Sequence, residues 1–220
     1  MNEPKRVLRG FYGIADLPAD AGTDAARALG ERLADAGACI VQLRQKAADA
    51  GLMLENARAL ATILDPRGIP LCVNDRLDVA LAAGALACHL GQQDLPLAAA
   101  RRIAAGRLWL GVSTHSRAQA ELAISGGADY LGFGPVYATT GKADPDPVVG
   151  LCALAEVCAL ARVPVVAIGG ITVARVPETV AAGASAAAAI GAVLGAEDPV
   201  AAGRAIRDAF GRGRQAEKSV

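Results

Sequence analysis

Two aspartates mark the ends of one short, mostly apolar stretch. Asp75 follows Val73 and Asn74, Asp94 follows His89-Leu90-Gly91-Gln92-Gln93, and most of what lies between them is apolar (LDVALAAGALACHLG). Such a stretch reads as a short helix followed by a buried strand, a crossover that returns the ends of successive parallel strands to one edge of a sheet. Two carboxylates meeting at that edge repel each other unless a cation lies between them. Oxygen ligands of this kind suit Mg2+, which takes one or two carboxylates and leaves the rest of its shell to phosphates. The same residues have plainer uses: Asp75 could cap the helix it precedes, and Asp94 could begin a turn before Pro96. These residues alone leave both readings open.

The elements that must position these groups come from an internal repeat. A helical pattern that ends in a glycine and enters an apolar strand occurs four times, at ADAGACIVQLR, LAAGALACHLG, ISGGADYLGFG and VAAGASAAAAIG. Its glycines are Gly37, Gly84, Gly127 and Gly183, separated by 47, 43 and 56 residues. Each is placed to end a helix in the left-handed conformation. Between them lie three more apolar segments, IPLCVN, RLWLGVS and VPVVAIGG, and FYGIAD opens the series. Eight strands, apolar on both faces and alternating with helices, predict a parallel sheet covered throughout. The fourfold period favours an α/β fold of one domain, a closed (β/α)8 TIM barrel, over a doubly wound sheet. Strands are expected at 8–15, 39–44, 71–74, 86–90, 108–113, 129–133, 164–168 and 186–190. Helices are expected at 24–36, 50–64, 76–83, 96–105, 116–125, 150–160, 173–182 and 198–210. The barrel would span 7–210, with 1–6 and 211–220 as loose tails.

Composition bounds the partners. Hydrophobic residues make up 53% and aromatics only 3%, so the core must be built from Ala, Val, Leu and Ile. Lys plus Arg and Asp plus Glu number 22 each, and neither basic runs nor aromatic stretches of the kind that hold nucleic acid occur. The five cysteines form no Cys-x-x-Cys pair and read as small buried hydrophobes in a reducing compartment, the cytoplasm. The uncharged run between Glu178 and Glu197 is rich in Ala and Gly and fits a helix end, a strand and a turn better than a membrane span. No membrane partner and no nucleic acid are expected. The oligomeric state stays open, a homo-oligomer included.

In a barrel of this type the loops after the strands build the site. There the sequence places Gln42, Leu43, Arg44, Gln45 and Lys46 after strand 2, Asn74 and Asp75 after strand 3, and Asp94 after strand 4. Ser113, Thr114 and His115 follow strand 5, and the longest loop, 134–149, carries Lys142. Gly169-Gly170 ends strand 7 and Ile190-Gly191 ends strand 8. Cations with Mg2+ match a diphosphate, and glycine turns opening helices match a monophosphate. Two anion sites suggest two substrates, with a diphosphate leaving group whose growing charge is neutralised. Taken singly, Arg44 and Lys46 could be solvated rim charges, and Ser113 and Thr114 could cap the helix at 116. His89 reads as a satisfied barrel residue.

In combination the motifs resemble thiamine-phosphate synthase. They are Gln-Leu-Arg-x-Lys at 42–46, Val-Asn-Asp-Arg at 73–76, His-Leu-Gly-Gln-x-Asp-Leu at 89–95, Gly-Val-Ser-Thr-His at 111–115, Gly-Pro-Val-Tyr-Ala-Thr-x-x-Lys at 134–142 and Ala-Ile-Gly-Gly-Ile at 167–171. The resemblance runs in order from about residue 11 to 195. It implies a transferase of thiamine biosynthesis. The hydroxymethylpyrimidine diphosphate would lose pyrophosphate, and the nitrogen of the thiazole phosphate would attack the methylene carbon. By position, the resemblance gives Gln42, Leu43, Arg44, Gln45, Lys46, Asn74, Ser113 and Lys142 to the pyrimidine diphosphate, with Arg44, Lys46, Ser113 and Lys142 the catalytic groups. It gives Asp75 and Asp94 to Mg2+, and Thr139, Thr140, Gly141, Gly170, Ile190 and Gly191 to the thiazole phosphate.

Two positions depart from the family pattern. Gly141 stands where the family has a hydroxyl residue before the lysine, and Gly191 where it has a serine after strand 8. A hydrogen bond to a charged group contributes roughly 1.5–3 kcal/mol, so weaker thiazole phosphate binding is expected. Two other readings remain: a thiazole tautomerase-like isomerase, which has little need for the diphosphate and metal residues, and a non-catalytic phosphate-ligand-binding barrel.

Overall fold

The computed structural model describes residues 8–139 and 146–217. Eight parallel strands close on themselves in sequence order, β1 (Gly10–Asp16), β2 (Ile40–Arg44), β3 (Leu71–Asn74), β4 (Ala87–Leu90), β5 (Trp109–Thr114), β6 (Tyr130–Phe133), β7 (Val165–Ile168) and β8 (Ala186–Ala188). The helices are α1 (Thr23–Asp35), α2 (Ala50–Leu64), α3 (Leu77–Ala83), α4 (Leu97–Ala104), α5 (Arg117–Ser125), α6 (Gly150–Leu160), α7 (Val176–Ala181), α8 (Ile190–Leu194) and α9 (Pro199–Glu217). This is the expected (β/α)8 barrel. The four repeat glycines all take positive φ, from +68° at Gly84 to +91° at Gly183. That conformation frees the chain to turn from a helix into the next strand.

Period-two alternation sorts the strand side chains into two cores. Phe11, Val41, Leu43, Val73, Leu110, Leu131 and Ala167 face outward and pack under the helices. Tyr12, Ile14, Ile40, Cys72, Trp109, Tyr130, Val166 and Ala188 fill the barrel itself. The interior is a tight fit of large against small: a Cβ at Gly111 would lie 2.1 Å from Cζ of Tyr130, its register partner on β6.

Several boundaries differ from the sequence reading. β8 stops at Ala188, the last residue paired with both Tyr12 and Ile168. Past that point β7 has turned away at Gly169 (φ +93°), so no ladder remains and Ile190 begins a helix instead. β5 runs one residue further, to Thr114, and the cap of α5 is Ser116, whose side chain accepts from the Gln119 N–H. Ser113 and Thr114 are therefore strand residues and cap nothing. The last helix continues to Glu217, not 210: no proline interrupts 211–217, and Arg212, Arg214, Gln215, Ala216 and Glu217 carry it past Gly211 and Gly213. Residues 1–6 lie outside the described residues. Cys152 is exposed, whereas Cys72 and Cys88 are buried as expected.

The packing at Gly111 makes a prediction. Gly111→Ala forces a methyl into the Tyr130 ring and is expected to destabilise the barrel by about 2–3 kcal/mol. A clear fall in the urea midpoint checks it.

Candidate active site

The carboxylate pair is built by two turns at the carboxyl end of the barrel. At the end of β3 the chain makes a three-residue turn, closed by the Arg76 N–H donating to the Asn74 carbonyl at 2.7 Å. Asp75 sits at its centre with φ +63°, a strained conformation for a residue with a Cβ. Its own N–H donates to the His89 carbonyl at 2.8 Å, which ties the turn to β4. Arg76 is the N-cap residue of α3, and no side chain caps that helix. The strain at Asp75 therefore serves to aim the carboxylate, not to start the helix. Asp94 closes the turn after β4 by accepting the Gly91 N–H at 2.6 Å, so it does belong to a turn as well as to the pair.

The two acids meet. Burial first, then hydrogen bonding and charge repulsion from Asp94, push the Asp75 carboxyl up to about 6, while Lys46 and Arg44 pull it back. A carboxylate so raised beside two cations is one whose charge is still uncompensated. The donor set fits Mg2+: two hard oxygen ligands with open coordination for phosphate and water. Among the described residues no group of three or more His, Cys, Asp or Glu side chains that could hold a metal ion gathers.

The cations flank this pair. Arg44 ends β2 and pairs with Asp16, its register partner at the end of β1. Lys46 is exposed and lines a pocket of about 260 Å³ with Gln45, Ala47, Ala48, Met53, Asn74, Asp75 and Arg76. A second, smaller pocket, about 40 Å³, lies in the barrel axis among Tyr12, Ile14, Gln42, His89, Ser113, Tyr130, Val166 and Ile168. Its floor is polar: Gln42 Nε2 donates to Tyr12 Oη at 3.2 Å, Tyr12 Oη lies 3.1 Å from Tyr130 Oη, and His89 bridges Tyr130 Oη (3.2 Å) and Ser113 Oγ (2.9 Å). Burial lowers His89 to about 4, so the ring is neutral. The satisfied barrel histidine of the sequence reading is what the structure holds.

On the opposite side, the loop after β6 is stitched to the end of β7. The Val136 and Tyr137 N–H groups donate to the Ile168 and Gly169 carbonyls at 2.9 and 3.1 Å. Gly170 (φ +63°) lies so close to Tyr137 that a Cβ there would come within 2.8 Å of the Tyr137 Cβ. Arg175 stacks 4.4 Å from the Tyr137 ring centroid and donates to the Gly170 carbonyl at 2.7 Å, and Tyr137 Oη donates to Glu178 at 2.6 Å. Ile190 and Gly191 open α8, beside this loop because β8 pairs with β7.

Gln42, Arg44, Lys46, Asn74, Asp75, Asp94 and Ser113 thus all stand at the mouth or in the axial pocket. Leu43 and Gln45 do not offer side chains there. Leu43 is wholly buried in the outer core. Gln45, 4% exposed, gives its amide N–H groups to the Pro18, Ala19 and Ala21 carbonyls and accepts from Asn56 Nδ2, clasping the β1–α1 loop. Strand alternation explains Leu43, since odd positions on β2 face away from the axis, and Gln45, one residue past the end of β2, continues the same alternation. Thr139 is described, whereas Thr140, Gly141 and Lys142 lie outside the described residues. Tyr12, Tyr130 and Asp16 were not singled out in the sequence. Asp16 had a signal, an acid at the end of the first strand level with Arg44; the tyrosines had none, because inside a strand they read as core.

The geometry sets this barrel beside known proteins. A family model described as thiamine monophosphate synthase matches residues 11–193. The chain belongs to the thiamine monophosphate synthase family. It is 44% identical over 181 residues to the thiamine-phosphate synthase of Chloroflexus aurantiacus, covering 82% of this chain and 83% of that one. With the Anaeromyxobacter dehalogenans thiamine-phosphate synthase it shares 47% over 180 residues, 82% and 81% of the two chains. Among solved structures, the thiamine phosphate pyrophosphorylase from Pyrococcus furiosus superposes with a TM-score of 0.82 at 33% identity, covering 94% of this chain and 98% of that one. The family member described here is an enzyme, a transferase of thiamine biosynthesis.

The carboxylate pair should be visible in stability. The folded Asp75 carboxyl titrates near 6, above the roughly 3.9 of an unfolded chain. The folded state therefore binds the extra proton, and stability falls as pH rises from about 4 to about 6. Asp75→Asn is expected to remove that slope and to raise stability at neutral pH by ~1 kcal/mol, discounted for partial exposure. Urea titrations of both proteins at pH 4.5 and 7.5 check it.

Proposed function

We propose that this chain joins hydroxymethylpyrimidine diphosphate to thiazole phosphate, giving thiamine phosphate and pyrophosphate. The observation that carries the reading is the convergence of Asp75 and Asp94 beside Arg44 and Lys46, an arrangement suited to a diphosphate with a divalent cation. In the reaction the C–O bond to the diphosphate breaks, the methylene carbon becomes cationic, and the thiazole nitrogen donates its lone pair to form the new C–N bond. No proton need be removed, and the axial pocket supplies no strong base: burial lowers its one histidine to about 4, which makes it a poor proton acceptor, and both its nitrogens are spent on Tyr130 and Ser113.

Each group then has a task. Asp75 and Asp94 would hold Mg2+, which supplies positive charge against the oxygens of the departing diphosphate. Arg44, oriented by Asp16, and Lys46 bind the same oxygens, with Lys142 from the long loop. Asn74 and Ser113 donate hydrogen bonds, and Gln42 orients the pyrimidine. The apolar walls at Ile14, Val166 and Ile168 keep water from the cationic carbon. Gly170, Ile190 and Gly191 would form the thiazole phosphate site through backbone N–H groups, and the family resemblance adds Thr139, Thr140 and Gly141 to it. The five cysteines are unpaired thiols, in keeping with work in the reducing cytoplasm. Among the described residues no helix is long and apolar enough to cross a membrane.

Incubation with Mg2+ and both substrates should release thiamine phosphate and pyrophosphate in equal amounts. Asp75→Ala and Lys142→Ala should each lower the rate by about a hundredfold or more. Thiazole phosphate binding without either product would overturn the reading. Gly191 has open space around it, with nothing within 4 Å of an added Cβ. Gly191→Ser should therefore lower KM for the thiazole phosphate by about tenfold with little change in kcat, measured in steady-state assays.

A further inference from the structure

The polar floor of the axial pocket is a continuous chain of side chains from five strands: Gln42 on β2, Tyr12 on β1, Tyr130 on β6, His89 on β4 and Ser113 on β5. Counting protons gives it a direction. The Gln42 amide nitrogen can only donate, so Tyr12 Oη accepts and has its single proton left for Tyr130 Oη. Tyr130, having accepted, gives its proton to His89 Nδ1 at 3.2 Å, a better acceptor than the Cys72 sulfur 3.5 Å away. A neutral imidazole that accepts at Nδ1 carries its proton on Nε2 and donates to Ser113 Oγ. Ser113 Oγ, having accepted, keeps its own proton for something else. In the reverse direction Tyr130 would donate to Tyr12, whose own proton would be left to the neighbouring sulfur of Cys72, a weak acceptor. Burial holds both phenols well above their ordinary range, so their protons stay in place. The chain also polarises itself, each bond strengthening the next in the dry interior.

We propose that His89 is a positioning residue that fixes the polarity of Ser113: the buried chain starting at Gln42 makes His89 donate from Nε2, and this frees the Ser113 hydroxyl proton for an acceptor atom of the bound substrate. The barrel interior is thereby more than filling. It leaves beside Ser113 a hydroxyl proton that a ligand oxygen or nitrogen lone pair can accept.

Two independent measurements test this. The chain has only two histidines, so two-bond 1H–15N correlation spectra of the 15N-labelled protein resolve both rings, and His115→Gln assigns them. His115 Nδ1 faces the Gly134 carbonyl at 2.6 Å and must carry a proton. His89 is expected in the opposite tautomer, protonated at Nε2 and bare at Nδ1; an Nδ1-protonated His89 would overturn the proposal whether or not the chain is a synthase. Tyr130→Phe keeps the ring and breaks the chain, and should give a tautomer mixture; a pure Nε2-protonated His89 in that variant would show that the chain does not set it. The second measurement is kinetic and rests on the synthase reading above. His89→Phe should lower kcat about tenfold in the native background but less than about twofold when Ser113 is alanine. Equal losses in both backgrounds would mean that His89 does not act through Ser113.

Discussion

Two carboxylates within hydrogen-bonding reach of each other at the open end of a barrel cost folding free energy. The structure shows how that cost is sustained. Asp75 is held at positive φ by a turn tied to β4, Asp94 is pinned by the Gly91 N–H, and Arg44 and Lys46 offset the repulsion only in part. The rest of the architecture follows from bringing these groups together. A parallel barrel sends every strand end to one rim, and the short crossover through α3 brings the ends of β3 and β4 side by side. A site that remains short of positive charge after folding suits the divalent cation proposed above.

The interior complements the rim. A reaction that proceeds through loss of an anion needs charge neutralisation where the leaving group departs and dryness where the cationic carbon forms. In the proposed reaction the two pockets would divide these duties. The outer one is lined by Lys46, Asn74 and Asp75, and the axial one by Ile14, Val166, Ile168 and Ala188 over a hydrogen-bonded polar floor. Neutral His89 and the two phenols add hydrogen-bonding specificity without adding a charge that would compete with the rim.

Much of this was legible in the sequence because the signals were periodic or chemically unusual. The repeat glycines Gly37, Gly84, Gly127 and Gly183 announced the helix ends, and Asp75 and Asp94 stood out as acids flanking a mostly apolar run. What stayed hidden depends on three-dimensional closure. Tyr12 and Tyr130 come from strands far apart in the chain, and nothing local shows that their hydroxyls meet on the axis. Gln45 sits among the site motifs, yet strand alternation turns it toward the β1–α1 loop, a distinction of one residue in register. The end of β8 depended on where its neighbour β7 turned away, which the apolar run through Ala189 and Ile190 could not reveal.

The central claim is that the Asp75–Asp94 pair is completed by a divalent cation together with a diphosphate. Calorimetric titration of inorganic pyrophosphate into the protein, with and without Mg2+, tests it most directly. The account predicts that Mg2+ tightens pyrophosphate binding by about tenfold or more, that pyrophosphate tightens Mg2+ binding by the same factor, and that Asp75→Asn abolishes the coupling. Pyrophosphate affinity that is unchanged by Mg2+, or a coupling that survives Asp75→Asn, would contradict it.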